Sequence, residues 1–307
     1  MKRLSLNEDK LKQYPQYIRK INEIIAGFMP KEDGYQEILF QAMNYSIEAG
    51  GKRIRPLLIR EAYRLFSDQN EAVIYPLIAA VEMIHTYSLT HDDLPAMDND
   101  EYRRGRKTTH IAFGEAIAIL AGDGLLNLAM ETALKVLETD DKQVIALGIK
   151  ALKVLYEKAG AGGMIGGQAA DILAEAGTLP QTEELLYFIH GKKTAALIEA
   201  AMMIGGILAG ADEESIKKLE KAGYNIGIAF QFQDDILDIT GSFDELGKPI
   251  GSDDEKQKLT SVSLKGLSEA KAEVSRLSRE AIEILSSFPR RNDFLLELVD
   301  SLIYRKK

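Results

Sequence analysis

Two short acidic runs carry the side chains best suited to chemistry. The first, His91-Asp92-Asp93-Leu94-Pro95-Ala96-Met97-Asp98, follows the apolar stretch from Val81 to Leu89, so it should end a buried helix. Residues six apart stand about 240° apart around an ideal helix. Pro95 disfavours a continuous helix here, and a break after Leu94 is expected to return Asp98 to the side of Asp92. The second run is Gln231-Phe232-Gln233-Asp234-Asp235-Ile236-Leu237-Asp238. Asp234 and Asp238 lie one turn apart on a helix, a like-charge pair that weakens the helix unless a cation intervenes. Both runs sit among apolar residues, Ser88-Leu89 before one and Ile228-Ala229-Phe230 before the other. Ordinary surface solvation accounts poorly for carboxylates in that setting.

Calcium is a poor match. An EF-hand loop starting at Asp98 needs Gly at its sixth position and Glu at its twelfth, where the chain has Arg103 and Thr109. Mg²⁺ is the natural candidate, because it binds through few carboxylates, keeps waters and completes its shell with phosphate oxygens. Basic groups for an anionic substrate are at hand in Gly50-Gly51-Lys52-Arg53-Ile54-Arg55-Pro56, Arg103-Arg104, Lys192-Lys193-Thr194, Lys248 and Lys258. Separate acidic and basic clusters suggest two tasks, chelating metal and binding phosphate. The run Gly160-Ala161-Gly162-Gly163-Met164-Ile165-Gly166-Gly167 resembles a phosphate loop but lacks a following Lys-Ser/Thr and a preceding strand, so close helix packing or a bend is preferred. The four histidines show no metal-ligand spacing. His85, seven residues before Asp92, shares its helix face and either lines the same cavity or packs in the core.

These residues need scaffolding, and the remaining sequence indicates helices. Of 307 residues, 46% are hydrophobic and 28% charged, with a net charge of −9 and neither Cys nor Trp. The lack of Cys excludes a disulfide scaffold, a cysteine nucleophile and thiolate metal sites, and suits a reducing cytosol, so a cytoplasmic location is expected. The acidic balance argues against a nucleic-acid partner. Residues 1–13 are too polar for a secretory signal, and the most apolar stretch, 195–211, is shorter than the ~20 residues a bilayer requires. It reads as a buried core helix, and no membrane span is expected. Helical periodicity runs through 16–28, 36–49, 71–90, 114–138, 143–158, 183–209, 213–238, 268–286 and 293–303. Loops are expected at 67–70, 97–109, 177–182 and 242–259. No linker or repeat divides the chain, so a single all-α domain spanning 1–307 is expected.

Taken together, the motifs resemble those of short-chain polyprenyl diphosphate synthases, most of all bacterial farnesyl diphosphate synthases. In order they are Gly50-Gly51-Lys52-Arg53-Ile54-Arg55-Pro56, Asp92-Asp93-x4-Asp98 with Arg103-Arg104-Gly105, Gly167-Gln168-Ala169-Ala170-Asp171, Lys193-Thr194, Gln231-x2-Asp234-Asp235-x2-Asp238 and Lys258. The resemblance implies a bundle of long helices around a deep central cavity, usually in a homodimer. It implies that Asp92, Asp98 and Asp234 ligate Mg²⁺, several ions to a site, with Asp93, Asp235 and Asp238 in support. Arg103, Lys193 and Lys258 would hold an allylic diphosphate, with Thr194, Gln231 and Lys248 nearby. Lys52, Arg55, His85 and Arg104 would hold isopentenyl diphosphate.

The same resemblance bears on product length. Tyr87 precedes Asp92 by five residues, about 7.5 Å along a helix. On a cavity-lining helix it would stand below the allylic tail beside the smaller Ser88, and an aromatic there resembles farnesyl rather than geranylgeranyl synthases. Glu101-Tyr102 and Gly191-Lys192 depart from the family's commoner residues. Terpene cyclases and head-to-head synthases share helices and aspartates but have no need of the Lys52–Arg55 acceptor segment. A non-catalytic partner subunit should have degraded aspartates, and a plain helical scaffold leaves the buried carboxylates unexplained.

Overall fold

A computed structural model of the chain describes residues 13–240 and 259–303. These fall into two compact units, one of residues 13–60 and 68–152, the other of 61–67 and the described residues from 153 onward. The all-α expectation holds, the one exception among the described residues being a two-stranded hairpin.

The first unit contains α1 (Tyr14–Ala26), α2 (Glu37–Glu48), the start of α3 (Ile54–Arg64), α4 (Tyr75–Asp92), β1 (Tyr102–Arg103), β2 (Arg106–Lys107), α5 (Thr109–Phe113), α6 (Glu115–Leu134) and the start of α7 (Lys142–Ala159). Its centre is α4. A 3-10 turn at Glu71–Ile74, capped by the side-chain carbonyl of Asn70, leads into it, and Pro76 sits in its first turn where no amide partner is lost. The helix is buried on all sides from Pro76 to Ile84, as expected of a core helix lacking a polar face. α6 packs along it through small residues, Ala118, Ala121, Gly122 and Ala129. A Cβ at Gly122 would lie 2.1 Å from the His91 ring, so only glycine admits that imidazole. The segments 71–92 and 115–137 are long and apolar enough to pass for membrane spans by composition alone. In the fold the two pack on each other, and α4 buries Glu82 and Thr86 within the core.

The second unit holds the rest of α7, α8 (Met164–Glu175), α9 (Glu183–Ile189), α10 (Ala196–Leu208), α11 (Glu213–Thr240), α12 (Ser261–Lys265), α13 (Leu267–Ser286) and α14 (Asp293–Ile303). α10 corresponds to the apolar stretch expected to be a core helix, and it is buried almost throughout. Its Glu199 is held by Lys158, which also reaches Glu220 at 2.7 Å. α11 packs against α10 and α13, the latter burying Ala270, Val274, Leu277 and Ala281 at helical spacing.

Several elements differ from the sequence expectation. The helix expected over 183–209 is interrupted by a π segment, His190–Ala195. Part of the 97–109 loop is the hairpin, whose Arg104 and Gly105 both take positive φ, the turn a two-residue hairpin prefers. α3 was not anticipated, because Pro56 reads as a boundary although it lies in the helix's first turn. α8 was hidden by its glycines. They permit close approach: a Cβ at Gly167 would stand 2.2 Å from the Lys193 amide nitrogen, against the π segment.

Gly167→Ala should therefore lower stability by roughly 1–3 kcal/mol through overpacking. Gly162→Ala, with nothing within 4 Å of the place its methyl group would take, should stay within about 0.5 kcal/mol of wild type. Urea denaturation of both variants checks this, and equal effects would contradict the packing account.

Candidate active site

In the first unit the acidic run does what Pro95 demands. α4 ends at Asp92, and the chain turns back so that the Asp98 amide donates to the Asp92 carbonyl at 2.9 Å. The amides of Met97 and Asn99 both donate to the Leu94 carbonyl, and Asn99 has φ +55. Asp98 thus returns beside Asp92, as the sequence reading expected. Asp92 and Asp98 are half-buried.

Asp93 has a different environment. It is 4% exposed, and its Oδ1 accepts from Arg103 Nε at 2.7 Å and from the same guanidinium's terminal nitrogen at 2.6 Å. Burial raises the Asp93 carboxyl above its ordinary value, while the Arg103 hydrogen bond and charge oppose the rise. Asp100 also reaches Arg103 at 3.7 Å. The hairpin cation is therefore oriented by the second aspartate of its own motif.

Lys52, Arg55, His85 and Arg104 all belong to this unit. Tyr14 donates its hydroxyl to the Lys52 carbonyl at 2.6 Å, and Arg104 donates to the Gly50 carbonyl. Gly51, at φ +127, has no room for a side chain, since a Cβ would strike the Arg104 guanidinium. Arg55 Nε is sealed from solvent with no hydrogen-bond partner, a condition that buried donors rarely keep. Burial lowers the Arg55 pKa to about 10, with Arg104 adding to the fall and Glu82 opposing it. His85 is pushed well below the ordinary imidazole value of 6.5, first by burial and then by Arg55, Arg104, Arg103 and Arg53. It is neutral at pH 7 among four guanidinium groups.

Tyr87 is 5% exposed and stacks edge-on to His91 at 5.8 Å between ring centres. Its hydroxyl is buried without a partner, and burial followed by the Asp92 charge pushes its pKa up to about 12. Ser88, half-buried beside it, turns its hydroxyl back to the His85 carbonyl at 2.9 Å.

The second unit carries the other half of the predicted residues. Lys193 and Thr194 lie in the π segment, an irregularity frequent at functional sites. Lys193 Nζ reaches Asp171 Oδ2 at 2.5 Å, and Thr194 Oγ1 donates to Gln231 Oε1 at 3.0 Å. On α11, Asp234 is half-buried while Asp235 and Asp238 are buried. Asp235 Oδ2 accepts the Ser261 amide at 2.7 Å and so pins the start of α12. Lys248 and Lys258 lie outside the described residues.

Three residues gained a role that the sequence reading had not given them: Asp171, which holds Lys193, and the buried pair Arg53 and Glu82, joined at 2.6 Å. A lone glutamate in the apolar run of α4 was the available signal for the last. Among the described residues no three histidine or acidic side chains converge well enough to hold a metal by themselves. Half-buried Asp92 and Asp98 in the first unit, and half-buried Asp234 in the second, are oxygen donors of the kind that suits Mg²⁺, which draws much of its shell from water and phosphate.

The chain matches the polyprenyl synthetase family model over residues 36–293. It is 45% identical over 238 residues to the farnesyl diphosphate synthase of Geobacillus stearothermophilus, covering 77% of this chain and 78% of that one. It is 41% identical to the geranylgeranyl diphosphate synthase of Cyanophora paradoxa, covering 94% and 95%. Among solved structures, the geranyltransferase of Helicobacter pylori complexed with magnesium and isoprenyl diphosphate superposes with a TM-score of 0.81 at 31% identity, over 97% of this chain and 98% of that one. With its two aspartate-rich runs, its arginine cluster and these likenesses in agreement, the chain belongs to the polyprenyl synthetase family and is a short-chain prenyltransferase.

Proposed function

We propose that the protein condenses isopentenyl diphosphate with dimethylallyl and then geranyl diphosphate, in a Mg²⁺-dependent reaction, to give farnesyl diphosphate. The observation that carries this reading is the first unit's charge arrangement. Asp92 and Asp98 are brought together by the turn, while Arg55 keeps a buried donor with no protein partner. The acceptor diphosphate is assigned to Lys52, Arg55, His85 and Arg104. The allylic diphosphate is assigned in the first unit to Arg103, and in the second to Lys193, Thr194 and Gln231. A single catalytic domain is proposed because one family model runs from 36 to 293.

The allylic carbon–oxygen bond breaks and its electron pair leaves on the diphosphate. Fixed guanidinium and ammonium donors stabilise that growing charge more than they stabilise the bound substrate. Asp93 holds Arg103 in place for this task and Asp171 holds Lys193, so little reorganisation is needed as charge develops. Asp92, Asp98 and Asp234 would hold Mg²⁺, which when bound would supply further neutralisation of the developing charge. The isopentenyl double bond then supplies the electron pair of the new carbon–carbon bond. The proton lost from the resulting cation passes to the released diphosphate, so no side-chain base is required. Apolar residues of α4 shield the cation from water.

The fifteen-carbon product is supported by Tyr87, whose ring is buried one turn below His91 and would stop a longer tail. The geranylgeranyl reading has one observation in its favour, the comparable likeness to a geranylgeranyl synthase.

Purified protein given Mg²⁺, isopentenyl diphosphate and dimethylallyl diphosphate should form prenyl product that EDTA abolishes. Asp92→Ala and Asp234→Ala should each lower kcat by about 10²-fold or more, on the order of other lost electrostatic groups. Full turnover in either variant would contradict the assignment. In the same assay Tyr87→Ala should extend the product beyond fifteen carbons, and an unchanged product would rule out Tyr87 as the stop.

A further inference from the structure

The segment Gly50–Arg55 carries three cations, and the structure uses one of them differently from the others. Arg53 is 5% exposed and turned inward. One terminal nitrogen donates to Glu82 Oε1 at 2.6 Å, the other to the Ile47 carbonyl at 2.7 Å, and Nε to Asn22 Oδ1 at 2.9 Å. Its backbone sits at φ +46, in the left-handed region that residues other than glycine enter at a cost. Both side chains of the Arg53–Glu82 pair are 3% exposed.

Glu82 touches Arg53, but its charge also acts on Arg55 and Arg104, favouring the ionised form of each. It stands one helical turn before His85 on α4. One buried carboxylate thus serves three guanidinium groups, and only Arg53 is bound to it directly. If Arg53 were absent, Glu82 would be left buried and unpaired, with Arg55 and Arg104 as the cations within its influence. A buried charge without a partner is costly enough to recruit one.

We propose that Arg53 is a positioning residue for the acceptor site: by saturating Glu82 it leaves Arg55 and Arg104 available for the diphosphate of isopentenyl diphosphate, and it fixes the backbone that presents them. This rests on the acceptor-site assignment made under the proposed function. It explains why a motif devoted to an anion spends one of its three cations on the protein interior.

The test is a set of KM values for isopentenyl diphosphate and for geranyl diphosphate, with thermal melts as a check on folding. Arg53→Met should raise the KM for isopentenyl diphosphate about tenfold and leave that for geranyl diphosphate within about twofold, because only the acceptor cations are diverted. Arg53→Lys keeps Glu82 paired and should stay within about threefold of wild type for both substrates. The double variant Arg53→Met/Glu82→Gln removes the competing carboxylate and should return the isopentenyl diphosphate KM to within about threefold of wild type. A parallel rise in both KM values, or a double variant no better than Arg53→Met, would overturn the proposal. If Arg53→Met does not fold, Arg53→Lys and the double variant carry the same comparison, and a selective tenfold rise in the double variant overturns it. A wild-type protein making no product from isopentenyl diphosphate would instead refute the assigned function.

Discussion

A charge can be kept in an apolar interior only when an opposite charge or a set of hydrogen bonds holds it there. Three of the described cations follow that constraint closely. Arg103 is held by Asp93, Lys193 by Asp171, and Arg53 by Glu82 with Asn22 and the Ile47 carbonyl. In each paired aspartate the second member is buried and committed to the protein, Asp93 to Arg103 and Asp235 to the Ser261 amide. The first members, Asp92 and Asp234, remain half-buried. In each repeated Asp-Asp the second carboxylate is thus the more deeply buried of the two.

Candidate site residues also lie where the helices stop being regular. An unbroken α4 would carry Asp98 away from Asp92, and the turn after Leu94 prevents this. An unbroken α9–α10 would lack the π segment on which Lys193 and Thr194 lie. Among the described residues the three non-glycine positions at positive φ are Arg53, Asn99 and Arg104, all in the segments that shape the first unit's charged cluster. Backbone strain of this kind, costing roughly 1–3 kcal/mol per residue, persists where surrounding contacts determine the conformation. Here Arg53 and Arg104 are each tied down by their own guanidinium groups.

Much of this was legible before the structure. The spacing of Asp92, Asp93 and Asp98 around Pro95 implied a returning loop, and the amphipathic stripes of α7 and α13 implied helices where helices stand. The glycines at 160–167 indicate close helix packing or a bend, and the closeness of Gly167 to the π segment agrees with the packing. What stayed hidden has a common physical origin. Periodicity reports which side of an element is apolar, and says little about an element that packs through its own glycines and alanines, as α8 does. It also cannot report a partner distant in sequence. Nothing near Lys193 points to Asp171, and nothing near Arg53 points to Glu82, because the contacts exist only after the chain has folded. The π segment escaped for a related reason, since its sequence is compatible with a regular helix and tertiary packing decides the outcome.

His85 is held neutral inside the arginine cluster proposed to bind the acceptor diphosphate. Burial and four neighbouring positive charges all disfavour the imidazolium, so its pKa falls; a diphosphate beside it favours the imidazolium, so its pKa must rise. The most direct measurement is an NMR pH titration of the histidine ring signals, with His85 assigned by comparison with His85→Gln. It is run on the free protein and again with inorganic diphosphate. The account predicts a free-protein midpoint well below 6.5 that moves upward when diphosphate binds. An ordinary midpoint near 6.5, indifferent to diphosphate, would contradict it.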